Sequence, residues 1–219
     1  GIGYAALYSN TASNHTAVGY CALRSNTTGD QNTAVGFCAL SSNTVGSNNT
    51  ALGFQSLRQN TASNNTAVGF NALRNNTTGI YNTGLGTCTL KDNTTGIRNT
   101  AVGNRALEAN TVGTDNTAVG RVALAANTTG RFNIAMGTNA LTTNTGGSCN
   151  TALGPFSLEA NTASDNTGVG YGTLNANTTG TLNTAVGSKA LFCNTIGSNN
   201  TAVGFCALRS NTTGGSNVA

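Results

Sequence analysis

A unit of 17 residues repeats along the whole chain, and that repetition limits the possible folds more than any other feature. Copies begin at Thr16, Thr33, Thr50, Thr66, Thr83, Thr100, Thr117, Ile134, Thr151, Thr167, Thr184 and Thr201, after a leading copy from Gly1 to His15 that lacks its first residue. Thirteen units therefore account for the chain up to Asn217. The units ending at His15, Asn65 and Asn166 are one residue shorter. These three carry Ala12-Ser13, Ala62-Ser63 and Ala163-Ser164 where the others mostly have a β-branched residue and Gly. The shortening is expected to change a turn and leave the core alone. A short fixed period means one continuous repeat domain, residues 1–219, with function in the assembled surface.

When positions are numbered from the opening Thr, position 4 is always Gly, position 8 always Leu, position 11 always Asn and position 12 always Thr. Position 3 is always apolar, position 2 is only Ala or Gly, and position 17 is Asn except at His15. A helix does not fit: Gly, Thr and Asn recur too often, and no stretch carries a 3.6-residue period. Short β segments with Gly, Asn and Ser at the corners do fit, two per coil. The fold class expected is all-β, a parallel β-solenoid of about thirteen coils stacked about 4.8 Å apart. Both Asn columns read as turn residues whose amides also bond along the stack.

Positions 3 and 8 are expected to point inward, which would bury Val18, Leu23, Val35, Leu40, Val119 and Leu124 and leave Arg58 and Gln59 outside. Such a core is thin. The Ala/Gly column at position 2 implies close approach by something, either the coil's own interior or a neighbouring chain. The second option favours lateral association of several rods.

The chain is 7% charged and carries a net charge of +4. Its strict apolar columns argue against disorder, which needs no register. Arg24, Arg58, Arg74, Lys91 and Arg209 share position 9, where Glu108 and Glu159 interrupt them, so the column reads as a solvated face and not a nucleic-acid surface. No apolar run is long enough to cross a membrane as a helix.

Chemistry is hard to place on this chain. His15 is the only histidine, and the six cysteines show no C-x-x-C spacing. The six acids form no close pair, so an enzyme, a metal site and a cofactor are not expected. Cys21 and Cys38 fall on adjacent coils, either as a disulfide or as two stacked thiols. Position 5 reads Tyr4, Tyr20, Phe37, Phe54 and Phe70 in the first five units. This is a candidate interface for another chain or a ligand, or a stack of rings with no partner. The repeated Thr columns (Thr16, Thr33, Thr50 and Thr27, Thr44, Thr61) can present the regular hydroxyl array that ice binding requires, although Ile134 at position 1 suggests partial burial there. Val218-Ala219 reads as the start of a further coil, which Ile2-Gly3 of a second copy could continue, with Gly1 overlapping Ala219, giving a head-to-tail filament.

The core Asn-Thr-Ala-Val-Gly-x-x-Ala (Asn32 to Ala39, Asn65 to Ala72, Asn200 to Ala207) resembles the head repeats of trimeric autotransporter adhesins, whose repeat is shorter. It is similar also to shaft repeats of bacterial and phage fibre proteins. The resemblance implies a left-handed parallel β-roll, a trimer, and an extracellular or cell-surface fibre. The function expected is that of a non-catalytic structural protein assembling with copies of itself. The alternatives are an adhesin or tail-fibre shaft that binds surface glycans and, third, an ice-binding protein.

Overall fold

The computed structural model describes residues 1–219, and every regular element in it is a β-strand of three residues. Two compact units, Gly1–Gly113 and Thr114–Ala219, are built from the same coil. The first contains β1 (Thr16–Val18), β2 (Thr33–Val35), β3 (Thr50–Leu52), β4 (Thr66–Val68), β5 (Thr83–Leu85) and β6 (Thr100–Val102). The second contains β7 (Thr117–Val119), β8 (Ile134–Met136), β9 (Thr151–Leu153), β10 (Thr167–Val169), β11 (Thr184–Val186) and β12 (Thr201–Val203). Within each unit consecutive strands pair in parallel with like positions opposed, as in Thr16↔Thr33 with Val18↔Val35 and Thr184↔Thr201 with Val186↔Val203. The fold is a parallel β-solenoid, with one strand per coil where two were expected.

Elsewhere in the coil, left-handed backbone takes the place of the second strand. The residues at positions 6 and 8 sit at positive φ, for example Cys21 at 54° and Leu23 at 51°. A branched side chain is unusual there and costs about 1 kcal/mol or more. The gain is that successive N–H groups turn along the stacking axis in opposite senses. Cys21 N–H donates back to Tyr4 O at 2.9 Å, and Leu23 N–H donates forward to Ala39 O at 3.0 Å. Each coil is thereby tied to both neighbours, and its backbone groups are used without a continuous ladder.

The interior is narrower than the sequence suggested. Position 8 is the largest buried side chain, with Leu23, Leu40, Leu73, Leu107, Leu124 and Leu191 fully enclosed. Facing it are the position 2 alanines, such as Ala34, Ala51, Ala118 and Ala185, and the position 7 alanines, such as Ala22, Ala39 and Ala123. The expectation that position 3 points inward is wrong: Val35 is 37% exposed, and Val18 and Val119 are half-buried. In a strand of three residues side chains alternate, so an inward Ala at position 2 forces positions 1 and 3 outward. The Ala/Gly column is therefore the coil's own core. Arg58 is half-buried and Gln59 exposed.

Position 4 has two reasons to be Gly. Gly36 has φ +136°, and a Cβ on it would lie 2.4 Å from the carbonyl oxygen of Gly53 in the next coil. The asparagine columns form the ladders expected of them. At position 11, Asn43 Nδ2 donates to Asn26 Oδ1 at 2.8 Å and to Gly46 O within its own turn at 2.8 Å. At position 17, the backbone N–H of Asn49 donates to Asn32 Oδ1 at 2.9 Å. His15 stands in for asparagine at this position, and its Nδ1 accepts the N–H of Asn32 at 3.2 Å.

The shorter units keep the core and alter the turn, as their sequences implied. Leu57 and Ala51 remain fully buried, while Asn60 Nδ2 reaches the carbonyl of Ala62, two residues on. That shift removes the donor which Asn43 Oδ1 would have received, and Asn43 Oδ1 is buried without a partner. Asn144 Oδ1 is orphaned in the same way, ahead of the shorter turn in which Asn161 donates to Ala163 O at 2.8 Å.

Candidate functional site

The outward faces of the strands form the most regular surface in each unit. Position 1 contributes hydroxyl and methyl groups, and position 3 contributes branched or long apolar side chains. Adjacent strands repeat at about 4.8 Å, and positions 1 and 3 stand about 6.6 Å apart along a strand. No position 3 residue is buried, and Met136 and Val203 are 43% and 62% exposed. Ile134, the exception at position 1, is 40% exposed, so it does not mark burial of that column. The Thr-Ala-Val triplet is a hint of this face but too short an alternation to fix its direction. A strictly small residue flanked by two larger ones is what a narrow strand interior demands.

The other threonine column is committed to the fold. Thr27 Oγ1 donates to Thr44 O at 2.9 Å and Thr61 Oγ1 to Thr77 O at 3.0 Å, so these hydroxyls link coils.

The aromatic residues at position 5 come together as a continuous stack. Ring centroids are 5.2 Å apart for Tyr4–Tyr20, 5.3 Å for Tyr20–Phe37, 5.1 Å for Phe37–Phe54 and 5.3 Å for Phe54–Phe70. The rings are close to parallel, with interplanar angles from 9° to 15°. Their faces are spent on each other, and the edges are what solvent meets. This is the offset-stacked geometry that aromatic pairs favour, and it supports the register of the first five coils.

The remaining candidate residues are placed separately. Ile2 bridges Val18 of β1, and Val218 bridges Thr201 of β12. Ala219 donates its N–H to Thr201 O at 3.0 Å and accepts from Val203 N–H at 2.8 Å, so Val218 and Ala219 follow the path of positions 1 and 2. Gly1, Ile2 and Val218 are exposed.

All six cysteines are free thiols. Cys21 and Cys38 are the stacked pair allowed by their spacing. Burial pushes the Cys38 thiol above its ordinary pKa, the neighbouring Cys21 adds to this, and Arg58 and Arg24 pull against it. Cys88 is raised too, first by burial and then by the carboxylate of Glu108. On the charged column, Lys91 Nζ lies 3.9 Å from both Asp92 and Glu108, while Arg105 Nε donates to Glu108 Oε2 at 2.5 Å. No cluster of three or more histidine, cysteine or acidic side chains is arranged to hold a metal ion, and no helix is long and apolar enough to cross a membrane. No protein-family model, no curated protein and no solved structure matches the chain.

Proposed function

We propose that this chain is a non-catalytic structural protein, a fibre element that associates side by side with copies of itself through the Thr/apolar face of its strands. One observation carries the reading: position 3 is apolar in every repeat, yet no residue of that column is buried. An apolar column held through thirteen repeats and left in water is the mark of a surface that another molecule covers. A copy of the same chain has the matching repeat, so each coil adds one more identical contact at no cost in register. Low charge favours the same partner, because little repulsion has to be overcome. The resemblance of the Asn-Thr-Ala-Val-Gly core to adhesin heads and fibre shafts supports an extracellular setting and three-chain association.

The test is sedimentation of the purified chain beside a Val68→Asp/Val102→Asp variant. Both residues are half-buried on the outward face, so the variant should keep its β-sheet circular dichroism and lose its oligomer. A wild-type chain that stays monomeric at high concentration, or a variant that still associates, would reject the reading.

A second reading rests on the same face. Outward hydroxyl and methyl columns at fixed spacing also suit ordered water, and thermal hysteresis of the monomeric protein would separate ice binding from self-association. The glycan-binding alternative draws less support from the aromatic stack, because sugars pack on ring faces and those faces are occupied.

A further inference from the structure

We infer that the groove between Arg24 and Arg58 is an oxyanion site, built to take a sulfate group, either free in solution or as the ester of a polysaccharide. The open groove has a volume of about 280 Å³ and is lined by Arg24 and Arg58, by Ser25, Ser41 and Ser42, and by Tyr20, Cys21 and Cys38. No carboxylate lines it, and neither arginine has an ion-pair partner.

The repeat explains how the pieces meet. Arg24 and Arg58 occupy position 9 two coils apart, a separation of about 9.6 Å along the stack. The coil between them has Ser41 at that position, and the short side chain leaves the gap. Coil-to-coil hydrogen bonds set the floor, with Ser25 N–H on Ser41 O at 3.2 Å and Ser42 N–H on Arg58 O at 3.0 Å. The two arginines, from the coils on either side of Ser41, thus line one groove together with three serines. That arrangement suits a tetrahedral anion, with oxygens in several directions, better than a flat carboxylate. The sequence reads the basic column as a solvated face; at Lys91 the column is instead half-buried and ion-paired with Asp92 and Glu108. The groove differs because its two cations are unneutralised and share one cavity. It does not depend on self-association, since positions 9 and 10 lie off the strands.

Cys38 supplies an internal reporter. The arginines that would hold the anion are the ones that favour its thiolate, so a bound sulfate should slow its alkylation. The experiment compares Cys38 alkylation, read by peptide mass spectrometry, in sodium sulfate and in sodium chloride of equal ionic strength. It also compares binding of dextran sulfate and of uncharged dextran. The site variant is Arg24→Ser/Arg58→Ser, which copies the natural Ser41 and should fold. The control is Arg121→Ser/Arg131→Ser, two exposed arginines removed for the same change in charge. Slower alkylation in sulfate that disappears in the site variant supports a free anion as ligand. Dextran sulfate affinity that falls about tenfold or more in the site variant and little in the control supports a sulfate ester. Equal losses in both variants would show diffuse charge only and overturn the site, as would no response to either form of sulfate.

Discussion

Single residues in this solenoid are chosen by what the next few side chains leave free. Position 2 shows this most clearly, because Gly84 and Gly168, its two exceptions to Ala in the complete coils, each answer an enlargement nearby. A Cβ on Gly84 would lie 2.8 Å from Thr89 Oγ1, and one on Gly168 would lie 2.5 Å from Ser157 Oγ and 2.7 Å from Thr173 Oγ1. The buried hydroxyls are themselves paired: Thr89 Oγ1 donates to Gly86 O at 3.1 Å, and Ser157 and Thr173 are 2.7 Å apart. Glycine at position 2 thus goes with threonine at position 7, whereas the smaller Ser56 and Ser157 share their coils with Ala51 and Ala152. Gly84→Ala should destabilise the protein by about 1–3 kcal/mol, as overpacking does. Adding Thr89→Ala restores the usual Ala–Ala pair and should recover most of that loss. Urea denaturation of the two single variants and the double variant measures the coupling, and strict additivity would refute the packing account.

At the scale of the coil, the shorter units interrupt the inner asparagine ladder. Full-length coils donate along the ladder, as from Asn76 to Asn60 Oδ1 at 2.6 Å, Asn93 to Asn76 Oδ1 at 2.7 Å and Asn110 to Asn93 Oδ1 at 2.7 Å. It stops at Asn43 and at Asn144, whose Oδ1 atoms are buried and unpaired. Inserting one Gly between Ala62 and Ser63 would give that turn the length of Val45-Gly46-Ser47 and return Asn60 Nδ2 to reach of Asn43 Oδ1. The expected gain is about 1 kcal/mol, the usual net worth of one hydrogen bond or of one buried acceptor relieved. The same insertion after Thr78, in a full-length coil, should destabilise. Denaturation midpoints of the two insertions check this, and an unchanged or lowered midpoint for the Ala62 insertion would count against it. The ladder also sets the cost of losing an asparagine. Asn93→Ala would strand donors and acceptors on both sides, whereas Asn43→Ala removes an amide with one side already empty.

Over the whole molecule, stability is the sum of many nearly identical coil contacts, and few ionisable groups modulate it. The thiols of Cys38 and Cys88 are exceptions, both held above their ordinary pKa mainly by burial. The folded state therefore binds these protons more tightly than the unfolded chain does. Their contribution is complete below the ordinary thiol pKa and is lost as pH rises through the raised folded value. Under reducing conditions the urea midpoint should be level near neutral pH and decline in the alkaline range. Replacing Cys38 and Cys88 by Asn, the residue that Asn71 provides at the same position, should flatten that decline. An unaltered alkaline slope would assign it to other groups.

The period, the parallel β-solenoid, the buried leucine column, the two asparagine ladders and the altered turn of the shorter units all follow from the sequence alone. Each is a column of one residue type, and stacking turns a column into a chemical demand that only a few conformations satisfy. The direction of positions 2 and 3 does not follow from it. Both columns are free of polar side chains, and a three-residue strand has too short an alternation to say which side is inside. The tertiary structure decides it, because Leu23 and its equivalents, held at positive φ, fill the interior until only a methyl group fits opposite. That one choice turns the valine column outward and creates the candidate interface. The oxyanion groove depends on the structure for the same kind of reason. Arg24, Ser41 and Arg58 stand far apart along the chain, and only the stacking of their coils makes one cavity of two charges and a gap.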